Sequence, residues 1–419
     1  MKTKEWKDTE IGRIPKDWEV KPLGEIGFFS KGSGVSRDQS HSGNLPCIRY
    51  GEIYTSHNNY IREFYSFISP EIAKQAKRLK NGDILFAGSG ETKEEIGKTV
   101  AFVGNEEAYA GGDIIVLSPN VNCSSIFLGF VLNAPSSVRQ KAGMGQGDAV
   151  VHIHKESLAK VLIPFPPKEE QQRIAKTLSD IDMLIASLDK AIEKKRLVKQ
   201  GAMQQLLTGK KRLKGFTEGW KIKRIGDIGY TYNGLTGKSK GDFGVGTAHY
   251  VTFLNILNNP IIDTALLEKV NVALNEKQNE VRKGDLFFNT SSETPEEVGI
   301  CATIDVDIDE LYLNSFCFGF RLTDRDILSD YLAYYFRSSI GRQMMTMLAQ
   351  GATRYNLSKD NFLKCRLLLP GSLVEQQAII DVLSIMDGEI SSITHEREKY
   401  LRLKEGMMQE LLTGKTRLI

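Results

Sequence analysis

The sequence predicts an α+β protein: two similar globular α/β domains and two long helices paired as an antiparallel coiled coil, with approximate two-fold symmetry inside one chain. Three observations predict it. First, the string Gly201-Ala202-Met203-Gln204-Gln205-Leu206-Leu207-Thr208-Gly209-Lys210-Lys211-Arg212-Leu213 returns as Gly406-Met407-Met408-Gln409-Glu410-Leu411-Leu412-Thr413-Gly414-Lys415-Thr416-Arg417-Leu418, with ten of 13 positions identical at an offset of 205. Second, a heptad run of apolar residues precedes each copy. Third, the stretches ahead of the helices share landmarks while their interiors differ. A repeat this long is a duplicated half-protein, since solenoid units run to roughly 20–50 residues.

The globular parts align from their first tryptophan. Trp18 is followed by Lys21 and Gly24-Glu25-Ile26-Gly27, and Trp220 by Lys223 and Gly226-Asp227-Ile228-Gly229, an offset of 202. Gly82-Asp83-Ile84-Leu85-Phe86 then matches Gly284-Asp285-Leu286-Phe287-Phe288, in each case a turn followed by a short apolar strand. Ser89, Glu91, Thr92, Glu94, Glu95 and Gly97 match Ser291, Glu293, Thr294, Glu296, Glu297 and Gly299. Because these glutamates recur in both halves, they predict capping of a helix that starts after Ser89 or Ser291, rather than a catalytic carboxylate pair. Residues 35–75 and 237–275 share little. A helix is predicted over 125–141 and over 327–348. Each leads to a Gly-rich loop (Gly143-Met144-Gly145-Gln146-Gly147; Ala349-Gln350-Gly351-Ala352-Thr353-Arg354) and a strand ending at Pro164 or Pro370.

The long helices follow. Residues 168–207 contain no proline, and their first glycine is Gly201. Ile174, Leu178, Ile181, Ile185, Leu188 and Ile192 are spaced as a heptad seam. Ile379, Leu383, Met386, Ile390 and Ile393 repeat it, and the sixth position becomes Arg397. A helix of about 40 residues spans about 60 Å and cannot bury such a seam alone. The other copy is the expected partner, and two separate helical hairpin cores are the alternative. The expected boundaries are 1–165 and 213–371 for the globular domains, with helices over 166–212 and 372–419.

Composition narrows the function. A hydrophobic fraction of 41% and a charged fraction of 26% are ordinary for a globular protein. No apolar run approaches the roughly 18 residues of a membrane span, and residues 1–6 carry no apolar signal core, so a cytoplasmic protein without a membrane partner is expected. Five scattered cysteines without a CxxC pair argue against a disulfide framework or a zinc site. Net charge is only +3, yet between Lys190 and Lys214 nine basic residues accompany one acid. That cluster reads either as a solvated helix face or as a basic surface.

At this point the chain resembles the specificity subunits of type I restriction-modification systems, HsdS. The carriers are Glu10-Ile11-Gly12-Arg13-Ile14-Pro15-Lys16-Asp17-Trp18, Ile163-Pro164-Phe165-Pro166-Pro167-Lys168-Glu169-Glu170-Gln171-Gln172-Arg173-Ile174-Ala175 and Gln204-Gln205-Leu206-Leu207-Thr208-Gly209-Lys210. The resemblance implies two target-recognition domains, each reading half of a bipartite double-stranded DNA site, and two long helices that set their separation. It also implies two methyltransferase subunits (HsdM) and restriction-motor subunits (HsdR) as partners. The second copy departs at Leu368-Leu369-Pro370-Gly371-Ser372-Leu373-Val374, where Pro-Pro-Lys-Glu is lost and a looser helix start is expected.

Catalytic signatures are missing. Asn258-Asn259-Pro260-Ile261 lacks the second proline and the aromatic of a base-flipping methyltransferase loop. Gly234-Leu235-Thr236-Gly237-Lys238-Ser239 fails the phosphate-loop pattern at Tyr232. His152-Ile153-His154 would place two imidazoles on one strand face, without a third metal ligand. A non-catalytic DNA-binding subunit without a cofactor is therefore expected, and a coiled-coil assembly scaffold that reads no DNA is the alternative. DNA readout uses cations for phosphates and polar side chains for base edges. The candidates are Lys31, Ser33, Arg37, Arg49, Tyr50 and Gln146 in the first half, with Lys238, Lys240, His249, Tyr250 and Arg354 in the second.

Overall fold

The repeated Gly-Asp turns are closed by their own aspartates. Asp83 Oδ2 accepts from the Lys80 amide at 2.8 Å, and Asp285 Oδ2 from the Arg282 amide at 2.9 Å. Gly82 and Gly284 hold φ of +97° and +83°, a region that favours residues without a Cβ. The apolar runs that follow become the fully buried strands Ile84–Ala87 and Leu286–Asn289. The computed structural model of the protein describes residues 5–273 and 275–418. It divides into two units: Met1–Leu188 with Glu396–Ile419, and Asp189–His395.

The two units share the order of their central sheet and the core of a second. In the first, a four-stranded antiparallel sheet runs Thr99–Ala101, Ile84–Ala87, Ile114–Pro119, Gly27–Lys31. In the second, Cys301–Thr303, Leu286–Asn289, Cys317–Leu322 and Gly229–Asn233 stand in the same order. The divergent inserts also build equivalent second sheets. Leu45–Ile48 pairs antiparallel with Ser66–Ile68 and parallel with Tyr109–Ala110. Phe243–Val251 likewise pairs antiparallel with Glu268–Val270 and parallel with Leu311–Leu313. The inserts therefore keep these pairings while differing in surface and sequence, and among the described residues the first unit's sheet alone adds a fourth strand, Lys77–Arg78, antiparallel to Tyr109–Ala110.

Each long helix has 39 residues, Lys168–Leu206 and Leu373–Leu411. In the first unit the core takes Ile174 and Leu178 from the start of one helix together with Leu411 and Leu412 from the end of the other. In the second unit the core takes Met203, Leu206 and Leu207 with Ile379, Ile380 and Leu383. Side-chain pairs within each unit run antiparallel. In the first, Arg417 meets Glu170 and Lys404 meets Asp182, both at 2.6 Å. In the second, Arg212 reaches Glu375 at 2.6 Å, Lys195 reaches Glu389 at 2.7 Å, and Lys199 pairs with Asp387.

These contacts explain the repeated strings. Buried Glu170 accepts from Trp18 Nε1 at 3.0 Å and from Arg417 Nε and Nη2 at 2.6 and 2.7 Å. Buried Glu375 accepts from Trp220 Nε1 at 3.4 Å and from Arg212 Nε and Nη2 at 2.8 and 2.6 Å. Each Thr-Gly-Lys-x-Arg-Leu tail thus closes onto the Glu-Gln-Gln that opens the other helix. The next residue locks the chain ahead of that helix. Gln171 accepts from the Ser124 amide at 2.9 Å and donates to the Pro166 carbonyl at 2.8 Å. Gln376 accepts from the Leu328 amide at 2.8 Å and donates to the carbonyls of Asp326 and Pro370. The second helix start is therefore locked as the first is, and the expectation of a looser one is corrected.

Two further expectations are corrected. The predicted single helices are each a pair: Ser125–Val131 with Pro135–Met144, and Ser329–Arg337 with Ser339–Leu348. Pro135 has no amide to continue a helix and opens the next one instead. Ser338 is extended and caps the following helix through its Oγ. No α-helix follows Ser89 or Ser291. Both serines lie on two-residue strands, and the glutamates after them occupy turns. The nearest helical feature is the 3-10 turn Pro295–Glu297, entered from Thr294.

Candidate nucleic-acid interface

In the first unit, strand Ser89–Gly90 pairs with Val151–His152. Gln146 and His152 exchange both backbone hydrogen bonds, at 2.9 and 2.7 Å, which closes a hairpin with an exposed tip at 147–150. Ser89 Oγ and His152 Nδ1 lie 2.9 Å apart, and Tyr54 Oη donates to the Ser89 carbonyl at 3.0 Å. His154 stands at the N-cap position of the next helical turn, beyond the strand. His152, His154, Lys155, Ser89 and Lys31 line one open groove of 310 Å³.

A second depression of 490 Å³ adjoins it, since Asp113 lines both; Arg37, Arg49 and Tyr50 line this one. Arg49 is committed locally: its Nε donates to Glu52 Oε1 at 3.3 Å and to Ser66 Oγ at 3.1 Å. Tyr50 and Arg37 are exposed. Ser33 is exposed, with its hydroxyl donating to the Gln75 carbonyl at 2.6 Å. Four of the six first-half candidates, Lys31, Arg37, Arg49 and Tyr50, thus line two adjoining concavities, while Ser33 and Gln146 line neither.

The second-half candidates are more dispersed. Arg354 is exposed on the equivalent hairpin, and its Nε donates to Ser291 Oγ at 3.2 Å. A guanidinium thus meets the serine strand where an imidazole does so in the first unit. Lys240 is exposed on the 3-10 turn Lys240–Asp242. Strand Phe243–Val251 is irregular between Phe243 and Ala248, leaving 244–247 exposed, and His249 follows half-buried. Lys238 points inward: its ammonium pairs with Glu276, and only 4% of its side chain is exposed. Tyr250 is buried, packs on Phe243 at 5.0 Å and donates to Glu268 Oε2 at 2.8 Å. Burial and that hydrogen bond push its phenol up to about 12.

The seam residues separate by depth. Ile174, Leu178, Ile181, Ile185, Ile192, Ile379 and Leu383 are buried, whereas Leu188, Met386, Ile390 and Ile393 are half-buried. Sequence reasoning missed a second group, cations that donate to backbone carbonyls: Lys141, buried, and Arg337 and Arg342, half-buried. Lys141 Nζ donates to the Gly97 carbonyl at 2.5 Å, and Arg342 Nη1 to the Gly299 carbonyl at 2.9 Å. Arg337 donates to the carbonyls of Cys301, Ile256, Leu257 and Asn259, tying the insert to the scaffold. The one signal was the recurrence of Gly97 as Gly299, which marked the acceptors and not the donors. Among the described residues, no cluster of three His, Cys, Asp or Glu side chains could hold a metal, and no helix is long and apolar enough to cross a membrane.

Comparison with known proteins agrees with this duplicated layout. The model of the type I restriction modification DNA specificity domain matches residues 15–195 and again 217–402. A putative MjaX specificity subunit of Methanocaldococcus jannaschii is 28% identical, over 100% of this chain and 98% of the relative. The EcoKI specificity subunit of Escherichia coli is 23% identical over 88% of this chain and 82% of its own. The fold is that of the type I S subunit from M. genitalium, with a TM-score of 0.59 at 14% identity over 94% and 96% of the two chains. With one copy of the domain in each half, the chain belongs to the type I restriction-modification DNA specificity family.

Proposed function

We propose that this chain is the DNA-reading subunit of a cytoplasmic type I restriction-modification complex. It recognises a bipartite double-stranded site, one half per unit, and docks two methyltransferase (HsdM) subunits and the restriction-motor (HsdR) subunits. It is a specificity subunit and not the catalytic one. The reading is carried by one observation: the same two-sheet scaffold occurs twice with unrelated insert surfaces, 35–75 and 237–275. A pure scaffold gains nothing from surfaces that differ, whereas two readers of different base sequences need them. In the first unit the surface offers Lys31, Arg37, Tyr50 and Gln146. In the second it offers Lys240, His249 and Arg354, while Lys238 and Tyr250 support the insert from inside.

The test is domain exchange. Residues 25–145 are replaced by the equivalent module of a relative, the variant is expressed with its methyltransferase partner, and the methylated sites are sequenced. One half of the site should change and the other persist. A change in both halves, or methylation without sequence preference, would refute the reading.

A further inference from the structure

The equivalent backbone carbonyl is met by a cationic side chain in both units, buried in the first and half-buried in the second, and that side chain comes from different turns of the equivalent helix. Lys141, in helix Pro135–Met144, is 1% exposed and donates to the Gly97 carbonyl at 2.5 Å and to Thr99 Oγ1 at 3.3 Å. Arg342, in helix Ser339–Leu348, donates to the carbonyls of Gly299 at 2.9 Å, Glu296 at 2.7 Å and Val298. When the helices are aligned on their C-caps, Gly145 and Ala349, the counterpart of Lys141 is Met345 and that of Arg342 is Val138. Met345 also presses on the loop, for a Cβ on Gly299 would lie 2.9 Å from its sulfur, as one on Gly97 would lie 3.1 Å from Lys141 Cδ. The packing contact stays in place while the cation moves by three residues.

Burying a cation without a carboxylate is costly and a methionine fills such space without that cost. Its recurrence by two routes points to a need at the acceptor. Gly97 and Gly299 each end a loop that begins at the serine strand paired with the exposed hairpin, and both glycines sit at positive φ. Between strand and glycine, residues 91–95 and most of 293–297 are exposed. A donor on that last carbonyl fixes where the loop returns to the sheet, and so where the serine strand and hairpin stand.

We propose that Lys141 and Arg342 are positioning residues for DNA recognition, each holding the loop and hairpin of its own unit in the geometry that reads one half-site. The proposal rests on the reading that each unit binds DNA.

The test uses the complex of the full chain with its methyltransferase partner. The probes are duplexes carrying the site found by methylome sequencing, intact or with one half scrambled. Lys141→Met keeps the packing and removes the donor. It should fold and melt no lower than the wild type yet lose about tenfold in discrimination at one half-site only, the loss of roughly one hydrogen bond. Lys141→Met/Val138→Arg, which copies the second unit's arrangement, should restore it. Arg342→Met should affect the other half-site. Unchanged discrimination in a folded Lys141→Met variant overturns the proposal. Should that variant not fold, Arg342→Met decides by the same criterion, and failure of both to fold also overturns it, because the cations would then be ordinary core supports. A wild-type complex without sequence preference would instead sink the functional reading.

Discussion

Arg417→Ala removes the cation that closes the first unit. In the wild type its guanidinium gives two charge-assisted hydrogen bonds to Glu170, whose side chain is 5% exposed, and two to Asp17, which is 58% exposed. The Asp17 pair lies largely in water and contributes little. The Glu170 pair decides the magnitude. Truncating one partner of a buried pair costs about 3–5 kcal/mol, because the other charge stays buried. Glu170 keeps its bond from Trp18 Nε1, and loss of Arg417 opens a path for water, so about 3 kcal/mol is expected. For a unit of this size that lowers the melting transition by about 6–12 °C. The assay is calorimetry combined with hydrogen exchange. Exchange should accelerate around Trp18 and the start of the first long helix, while the second unit stays protected. Arg212→Ala should lower the transition of the second unit in the same direction through Glu375. Glu170→Gln/Arg417→Met, which removes both charges, should recover most of the loss. A shift below about 1 °C, or a double variant as unstable as the single, would refute the buried-pair argument.

Two further outcomes follow from burial. Lys141 is held down to about 7 by burial, against 10.5 for a free lysine. Between those values the unfolded chain binds a proton that the folded one does not, so first-unit stability should rise by a few kcal/mol from pH 7 to pH 10 and the rise should vanish in Lys141→Met. A wild type whose pH profile matches that variant would contradict it. Leu178→Ala, at a fully buried seam position, should cost about 2–5 kcal/mol, whereas Leu197→Ala, 58% exposed on the same helix, should stay within about 0.5 kcal/mol. Equal denaturation midpoints for the two would show that the heptad pattern does not mark the packed face.

Much of the architecture was legible because duplication gives a second reading of every landmark. The Gly-Asp turns, the long helices and the closing tails were visible as repeats, and their spacing carried their conformation. The broken helices were not, although Pro135 stood in plain view. The glutamates after Ser89 looked like helix caps because composition cannot tell a turn from a first helical turn. At the candidate interface, sequence pointed to loops but not to direction. Lys238 and Tyr250 face the insert's interior, where Glu276 and Glu268 hold them, and partners 38 and 18 residues away leave no local signal. Lys141 reads as a surface residue in any helical projection, and only the tertiary fold buries it.

The tail that ends in Arg417 also imposes an order on synthesis. The second unit, Asp189–His395, is continuous in sequence, but the first needs residues from Glu396 onward. At about 5–20 residues per second, the body of the first unit leaves the ribosome roughly ten to fifty seconds before the segment that completes it. Throughout that interval Ile174 and Leu178 lack Leu411 and Leu412, their partners in the finished core. The half made first is therefore finished last. A stop at or shortly after position 396 would damage the N-terminal unit and spare the C-terminal one, and the nascent chain has a defined window in which a chaperone could hold it.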